Sequence, residues 1–289
     1  MPDPIRPPAV APGPAGPPGP PASTPRRGGG RSPAWVRDLA GAWVFYSVLP
    51  AWPWIEPRFE RIARFGPWVG AVLGGVQALV WLLSSGWLPP MAQVALVIAL
   101  GLGLTGGLHS DGAIDTADGL AAGPRVLEAM DDSRVGAAGV QAFAVLLLLR
   151  AAGLLALANT GLAGAAGWAL LSTAIWGRLA PLLAMAHYPY LREQGTAGFH
   201  RERRRSLPLE LLPGLLLLGG LLLGGLVLAG TTPLVVAAVL LLPALPALAV
   251  PVWFGRRLGG HSGDTYGACV EWTESLGLLI SGLVLSGAG

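Results

Sequence analysis

The residues best suited to chemistry in this chain lie in Gly106-Gly107-Leu108-His109-Ser110-Asp111-Gly112-Ala113-Ile114-Asp115-Thr116-Ala117-Asp118-Gly119. Asp111, Asp115 and Asp118 are spaced i, i+4, i+7, so on a helix the three carboxylates share one face over about 10 Å of rise. Like charges so placed repel one another and destabilise the helix unless a cation intervenes. Hard carboxylate oxygens suit Mg²⁺, which takes one or two of them and completes its shell with water and substrate phosphates. The expectation is a magnesium site on Asp111, Asp115 and Asp118, with His109 beside it to orient a phosphate or act as general acid or base. One aspartate at a membrane edge would be an ordinary solvated side chain. Three in helical register between glycines favour function.

Two further polar islands follow. In Glu128-Ala129-Met130-Asp131-Asp132-Ser133-Arg134-Val135-Gly136-Ala137-Ala138-Gly139, preceded by the helix-ending pair Gly123 and Pro124, Glu128 and Asp132 stand i, i+4. Arg134 is a candidate to grip a phosphate by two hydrogen bonds, and the two clusters, Asp132 included, describe a metal and diphosphate site. The small residues after Arg134 allow close backbone approach. In the segment 259–274, Asp264 and Glu271 are i, i+7 and Glu274 lies a turn further on. Acidic residues leading into an apolar segment are costly unless they meet a cation or a substrate group. Together with Arg178, which interrupts an apolar run, they form the expected substrate-binding set. Arg150 also lies inside an apolar run, with a structural and a functional role equally open, while His187 and His200 have little support for either.

The elements that position these residues are membrane helices. With 53% hydrophobic and only 12% charged residues, the chain lies far from the composition of soluble domains. Apolar runs at 66–84, 90–107, 138–158, 164–186, 211–230, 233–253 and, least regular, 275–288 approach the roughly 20 residues that a helical crossing needs. The fold class expected is an all-α, polytopic integral membrane bundle of six or seven transmembrane helices. The stretch 39–54, aromatic and broken by prolines, is expected to lie at the interface. Residues 1–33 are rich in Pro, Gly and Ala and read as a disordered tail, with neither a secretory signal nor a collagen repeat; 34–289 form the membrane-embedded catalytic domain.

Charge sets the topology. The connections 84–89, 158–163 and 230–233 carry no charged residue, whereas the alternate ones hold Arg58, Arg61 and Arg64, the acidic segment 109–136, Arg201, Arg203, Arg204 and Arg205, and Arg256 and Arg257. The positive-inside tendency assigns the charged side to the cytoplasm, so a multi-pass protein of a bacterial inner membrane with a cytoplasmic active site is expected. The net charge of +3 is carried by arginines clustered beside apolar runs, which points to the lipid bilayer rather than to nucleic acid. The absence of lysine excludes a lysine nucleophile or Schiff base, and a single cysteine, Cys269, excludes an internal disulfide.

Three stretches resemble the cobalamin synthase family, the adenosylcobinamide-GDP ribazoletransferases: Gly-Gly-Leu-His-x-Asp-Gly-x-x-Asp-Thr-Ala-Asp-Gly at 106–119, Met-x-Asp-Ser-Arg-x-Gly-x-x-Gly at 130–139, and Gly-Asp-x-Tyr-Gly-Ala-x-x-Glu-x-x-Glu at 263–274. The resemblance runs from about Asp38 to the end; Val48 departs from it, standing where many relatives carry an arginine before Leu-Pro. It implies a Mg²⁺-dependent transfer in which a ribose hydroxyl of α-ribazole, or of its 5′-phosphate, attacks the corrinoid-side phosphorus of adenosylcobinamide-GDP and GMP leaves, with Asp132 completing a metal shell or activating the hydroxyl and Arg134 and Arg178 steadying the phosphates. Other membrane transferases also place acidic motifs at helix ends. A CDP-alcohol phosphotransferase is disfavoured because Asp118-Gly119 is not followed by its Ala-Arg element, and an aspartate-rich prenyltransferase stays as an alternative. A secondary transporter would place acidic residues near the midplane, whereas the carboxylates here are expected at one face.

Overall fold

The computed structural model describes residues 32–162, 164–192, 204–228 and 232–287. The expected tail lies outside these except for Ser32 and Pro33, as do His200, Arg201 and Arg203. The described chain is all-helical apart from one isolated bridge between Tyr190 and His261. In order, α1 is Ala34–Tyr46, α2 Gly66–Ser84, α3 Pro90–Thr105, α4 Leu108–Ala121, α5 Val126–Met130, α6 Ala137–Ala158, α7 Ala165–His187, α8 Leu207–Leu228, α9 Pro233–Leu241, α10 Ala244–Leu258 and α11 Gly263–Ser286. Six helical spans are long and apolar enough to cross a membrane, and seven if the bent pair α3 and α4 counts as one, which agrees with the expected bundle.

Helix α7 is central: 78% of its apolar window is buried, against 22% for α8, whose Leu216, Leu223 and Val227 point outward as a bilayer requires. Around α7 pack α2 and α11, and α11 also packs on α4, α6 and α10. Small residues permit this closeness, as is usual where lipid supplies no hydrophobic drive between helices. A Cβ on Gly153 of α6 would sit 2.4 Å from the Leu278 backbone of α11, and one on Gly282 would sit 2.5 Å from the Gly153 carbonyl oxygen.

Four expectations are corrected. The run 90–107 is not one straight crossing: α3 has 16 residues, and Gly106 and Gly107, with φ of 62° and 75°, turn the chain by 91° into α4. The run 233–253 is a single span that reaches further than expected, from Pro233 to Leu258 with a slight interruption at Leu242 and Pro243, so Arg256 and Arg257 occupy a last helical turn. The aromatic stretch becomes helical earlier, in α1, and is irregular from Ser47 onward. The last run is a full helix of 24 residues opened by a reciprocal cap between Ser262 and Thr265, so Asp264, Glu271 and Glu274 ride on the spanning helix itself rather than ahead of it.

Candidate functional site

Because α4 folds back from α3, its N-terminal turn meets the start of α11. Contact is close at Gly112, where a Cβ would lie 2.6 Å from the Asp264 carbonyl oxygen. This approach brings Asp111 and Asp264 onto one cleft of about 160 Å³, together with His109, Tyr46, Arg178 and Tyr266. The opposite face of α4, with Ala113 and Ala117, lines a separate apolar groove against Trp253, Phe254 and Trp272.

The acidic residues meet different partners. Asp111 is exposed in the cleft, and neither it nor Asp115 accepts a side-chain hydrogen bond among the described residues. Asp115, half-buried a turn further along α4, lies within electrostatic reach of Asp111, Asp264 and Asp118, with Arg192 the one opposing charge among the described residues. Asp264 accepts from Arg192 at 2.7 Å and from Ser262 at 3.2 Å. Asp118 spends both oxygens on the start of α6, accepting the Gly136 N–H at 2.7 Å and the Gly139 N–H at 2.8 Å. It therefore caps that helix and complements its dipole. The small residues of the second island make room for this carboxylate: a Cβ on Gly136 would stand 2.4 Å from Asp118 Oδ1.

Asp132 and Arg134 bind each other. Arg134 donates from its backbone and Nε to Asp132 Oδ1, each at 3.0 Å, and from Nη2 to Oδ2 at 2.6 Å. The guanidinium holds the Asp132 carboxyl down at about 2. The pair faces solvent, Arg134 with 87% of its side chain exposed, and does not line the cleft. His109 does line it, buried and stacked on Tyr46 at 6.1 Å between ring centroids, and its Nδ1 has no partner among the described residues.

Behind the cleft, Glu271 and Glu274 join Arg150 and Arg178 in a buried network. Arg150 Nη2 donates to Glu271 at 2.7 Å and Glu274 at 3.1 Å, its Nε donates to Ser275 at 2.9 Å, and Ser110 donates to Glu271 at 3.1 Å. Arg178 donates to Glu274 at 2.7 Å and to the Ala174 carbonyl at 2.9 Å. Two guanidiniums face two carboxylates, so the formal charges cancel, which is how such groups are tolerated at membrane depth. Arg178 belongs both to the network and to the cleft wall. Two participants went unassigned from the sequence: Arg150, whose role was open, and Arg192, which bridges Asp131 and Asp264 at 2.7 Å each. No local spacing marks Arg192, because its partners lie 61 and 72 positions away.

No three His, Cys, Asp or Glu side chains converge on a single metal position among the described residues. Mg²⁺ needs fewer: one or two carboxylates suffice when substrate phosphates and water complete the shell. Asp111 and Asp115, oxygen donors without hydrogen-bond partners and crowded by other carboxylates, fit that requirement.

A bundle of membrane-length helices with a charged cleft at the meeting of α4, α7 and α11 defines a polytopic membrane protein whose polar site is built into the bundle itself. The family model described as cobalamin-5-phosphate synthase matches residues 38–282. Among curated proteins, the chain is 54% identical to an adenosylcobinamide-GDP ribazoletransferase of Prochlorococcus marinus (strain MIT 9313), over 88% of this chain and 98% of that protein. It is 43% identical to one of Thermosynechococcus vestitus, over 83% of this chain and 93% of that protein. No solved structure gives a significant match. The chain belongs to the cobalamin-5-phosphate synthase family, a membrane transferase of cobalamin biosynthesis, as the three sequence islands indicated.

Proposed function

We propose that the chain transfers the adenosylcobinamide phosphate moiety of adenosylcobinamide-GDP to α-ribazole or α-ribazole 5′-phosphate at the cleft between α4, α7 and α11, releasing GMP. The observation that carries this reading is the facing of Asp111, with no hydrogen-bond partner among the described residues, and Arg178 across one cleft, in a chain 54% identical to a relative of that name. Phosphoryl transfer demands mainly positioning and charge neutralisation, and an acidic rim with a guanidinium behind it offers both. Asp111 and Asp115 would hold Mg²⁺, with Asp118 bracing the helix that presents them. When bound, the ion supplies neutralisation of the substrate diphosphate.

Arg178 donates hydrogen bonds to a phosphate oxygen while Glu274 and Ala174 fix its direction. A ribose hydroxyl of the nucleoside attacks the corrinoid-side phosphorus, a new P–O bond forms, and the bond to the bridging oxygen breaks. GMP leaves with that oxygen, and the hydroxyl proton passes to a cleft carboxylate. The cleft faces the cytoplasm of a bacterial inner membrane in this reading, supported by the arginines Arg58, Arg61, Arg204, Arg256 and Arg257 flanking the spans. The test is GMP release by purified protein in liposomes, which requires the corrinoid substrate, the nucleoside and Mg²⁺ together. Release independent of the nucleoside or of Mg²⁺ would refute it.

A further inference from the structure

Beside the acidic cleft lies a second pocket that shares Ala63, Leu182 and Met185 with it. Its polar walls are Arg61, Arg64, Arg204 and Glu210, three guanidiniums to one carboxylate. Arg61 pairs with Glu210, whose carboxylate also accepts the Arg205 backbone N–H at 2.7 Å. Arg64 has no ion pair among the described residues, its guanidinium lying 5.1 Å from the centroid of the Phe65 ring. Arg204 donates to the Ala186 carbonyl at a long 3.4 Å. The Nε–H groups of Arg61 and Arg64 are buried without a hydrogen-bond partner among the described residues. Arg64 also lies within reach of the like charges of Arg61 and Arg205, which the carboxylates of Glu210 and Asp38 offset only in part. Buried donors left unpaired, and cations crowded together, are costly unless an anion satisfies them.

We propose that Arg61, Arg64 and Arg204 form a second anion site adjoining the reaction cleft, which takes the phosphate monoester of a phosphorylated nucleoside acceptor. The proposal rests on the transfer reading above and adds a subsite to it. A monoester that does not react needs cations set away from the carboxylates of the rim, which would repel it. The pocket supplies them: its space of about 10 Å³ admits about one water as it stands, so the Arg61, Arg64 and Arg204 side chains swing apart to admit the phosphate, whose oxygens guanidinium forks match in pairs. Ala63, Leu182 and Met185 form the shared apolar wall along which the body of the nucleoside lies, its phosphate in one compartment and its hydroxyl in the other. A phosphodiester lipid headgroup offers the same chemistry at a membrane edge, so the experiment has to separate the two sources.

Initial rates are measured in vesicles of phosphatidylcholine with and without phosphatidylglycerol, using α-ribazole and α-ribazole 5′-phosphate in turn, for the wild type, Arg64→Gln, Arg204→Gln and Arg64→Lys. The expected result is a KM for the phosphorylated nucleoside raised about tenfold or more by either glutamine variant, at nearly constant kcat and in both lipids. The KM for the unphosphorylated nucleoside stays within about twofold of wild type, and Arg64→Lys restores part of the loss. Equal changes for both nucleosides, or changes confined to vesicles with phosphatidylglycerol, would overturn the proposal in favour of a lipid headgroup. No change for either would overturn it outright. Calorimetric titration with the phosphorylated nucleoside alone provides a readout independent of turnover: the wild type binds more tightly than Arg64→Gln, and equal affinities contradict the proposal. Failure of the wild type to release GMP with either nucleoside would count against the transfer reading, with the titration still deciding the pocket.

Discussion

Replacing Arg150 by methionine strips Glu271 of its guanidinium and leaves it only the Ser110 hydroxyl, while Glu274 keeps Arg178. Arg150 and Glu271 have side chains 7% and 6% exposed, so neither water nor salt screens the loss. Removing one member of a buried pair costs about 3–5 kcal/mol, chiefly from the charge left uncompensated, whereas removing both together is often nearly neutral. Arg150→Met is therefore expected to destabilise the protein by about 3 kcal/mol or more. The double variant Arg150→Met with Glu271→Gln, which restores charge balance around Glu274 and Arg178, should recover about 2 kcal/mol of that loss. The assay is equilibrium unfolding in detergent micelles followed by tryptophan fluorescence, arranged as a double-mutant cycle. The reasoning is refuted if Arg150→Met lies within about 1 kcal/mol of wild type, or if the two substitutions add without coupling.

Asp118→Ala removes the cap of α6 and should cost about 1–2 kcal/mol, while Asp118→Asn keeps an acceptor and costs less; unfolding midpoints compared with Asp111→Asn, expected within about 0.5 kcal/mol of wild type, check this. Gly112→Ala drives a methyl group against the Asp264 carbonyl and shifts α4 relative to α11, so kcat should fall on the order of 10²-fold, read by GMP release. His261, enclosed between Thr265 Oγ1 and the Pro251 carbonyl, has its imidazole pushed down to about 4 by burial. The unfolded chain binds that proton first, so the stability contribution is complete above about pH 6.5 and declines as pH falls toward 4, by about 3 kcal/mol in all. His261→Gln should flatten stability across that window, and an unchanged acid limb contradicts the assignment.

The spanning helices were legible because length and apolarity mark them without reference to anything distant. Residues 263–274 were not, since Glu271 and Glu274 look incompatible with a crossing until Arg150, 121 and 124 positions away, and Arg178 are seen against them. The same limit applies to the aspartates. Their i, i+4, i+7 register on α4 could be read directly, but not what each carboxylate meets: Asp118 finds the Gly136 and Gly139 amides through a turn that no periodicity encodes. Asp132 and Arg134, adjacent in the sequence to the other candidates, bind each other in solvent, while Arg192 ties the second island to the third. Residue types and local spacing announced the chemistry, and the long-range pairing of charges distributed the roles.

The most direct measurement is GMP release across a Mg²⁺ titration for Asp111→Asn and Asp115→Asn reconstituted in liposomes, with unfolding midpoints recorded on the same preparations. Paired oxygens holding the ion against the substrate diphosphate predict folded proteins whose activity falls at least about 10²-fold, or recovers only at much higher Mg²⁺. Folded variants that turn over at the wild-type rate with an unshifted Mg²⁺ dependence would contradict the account.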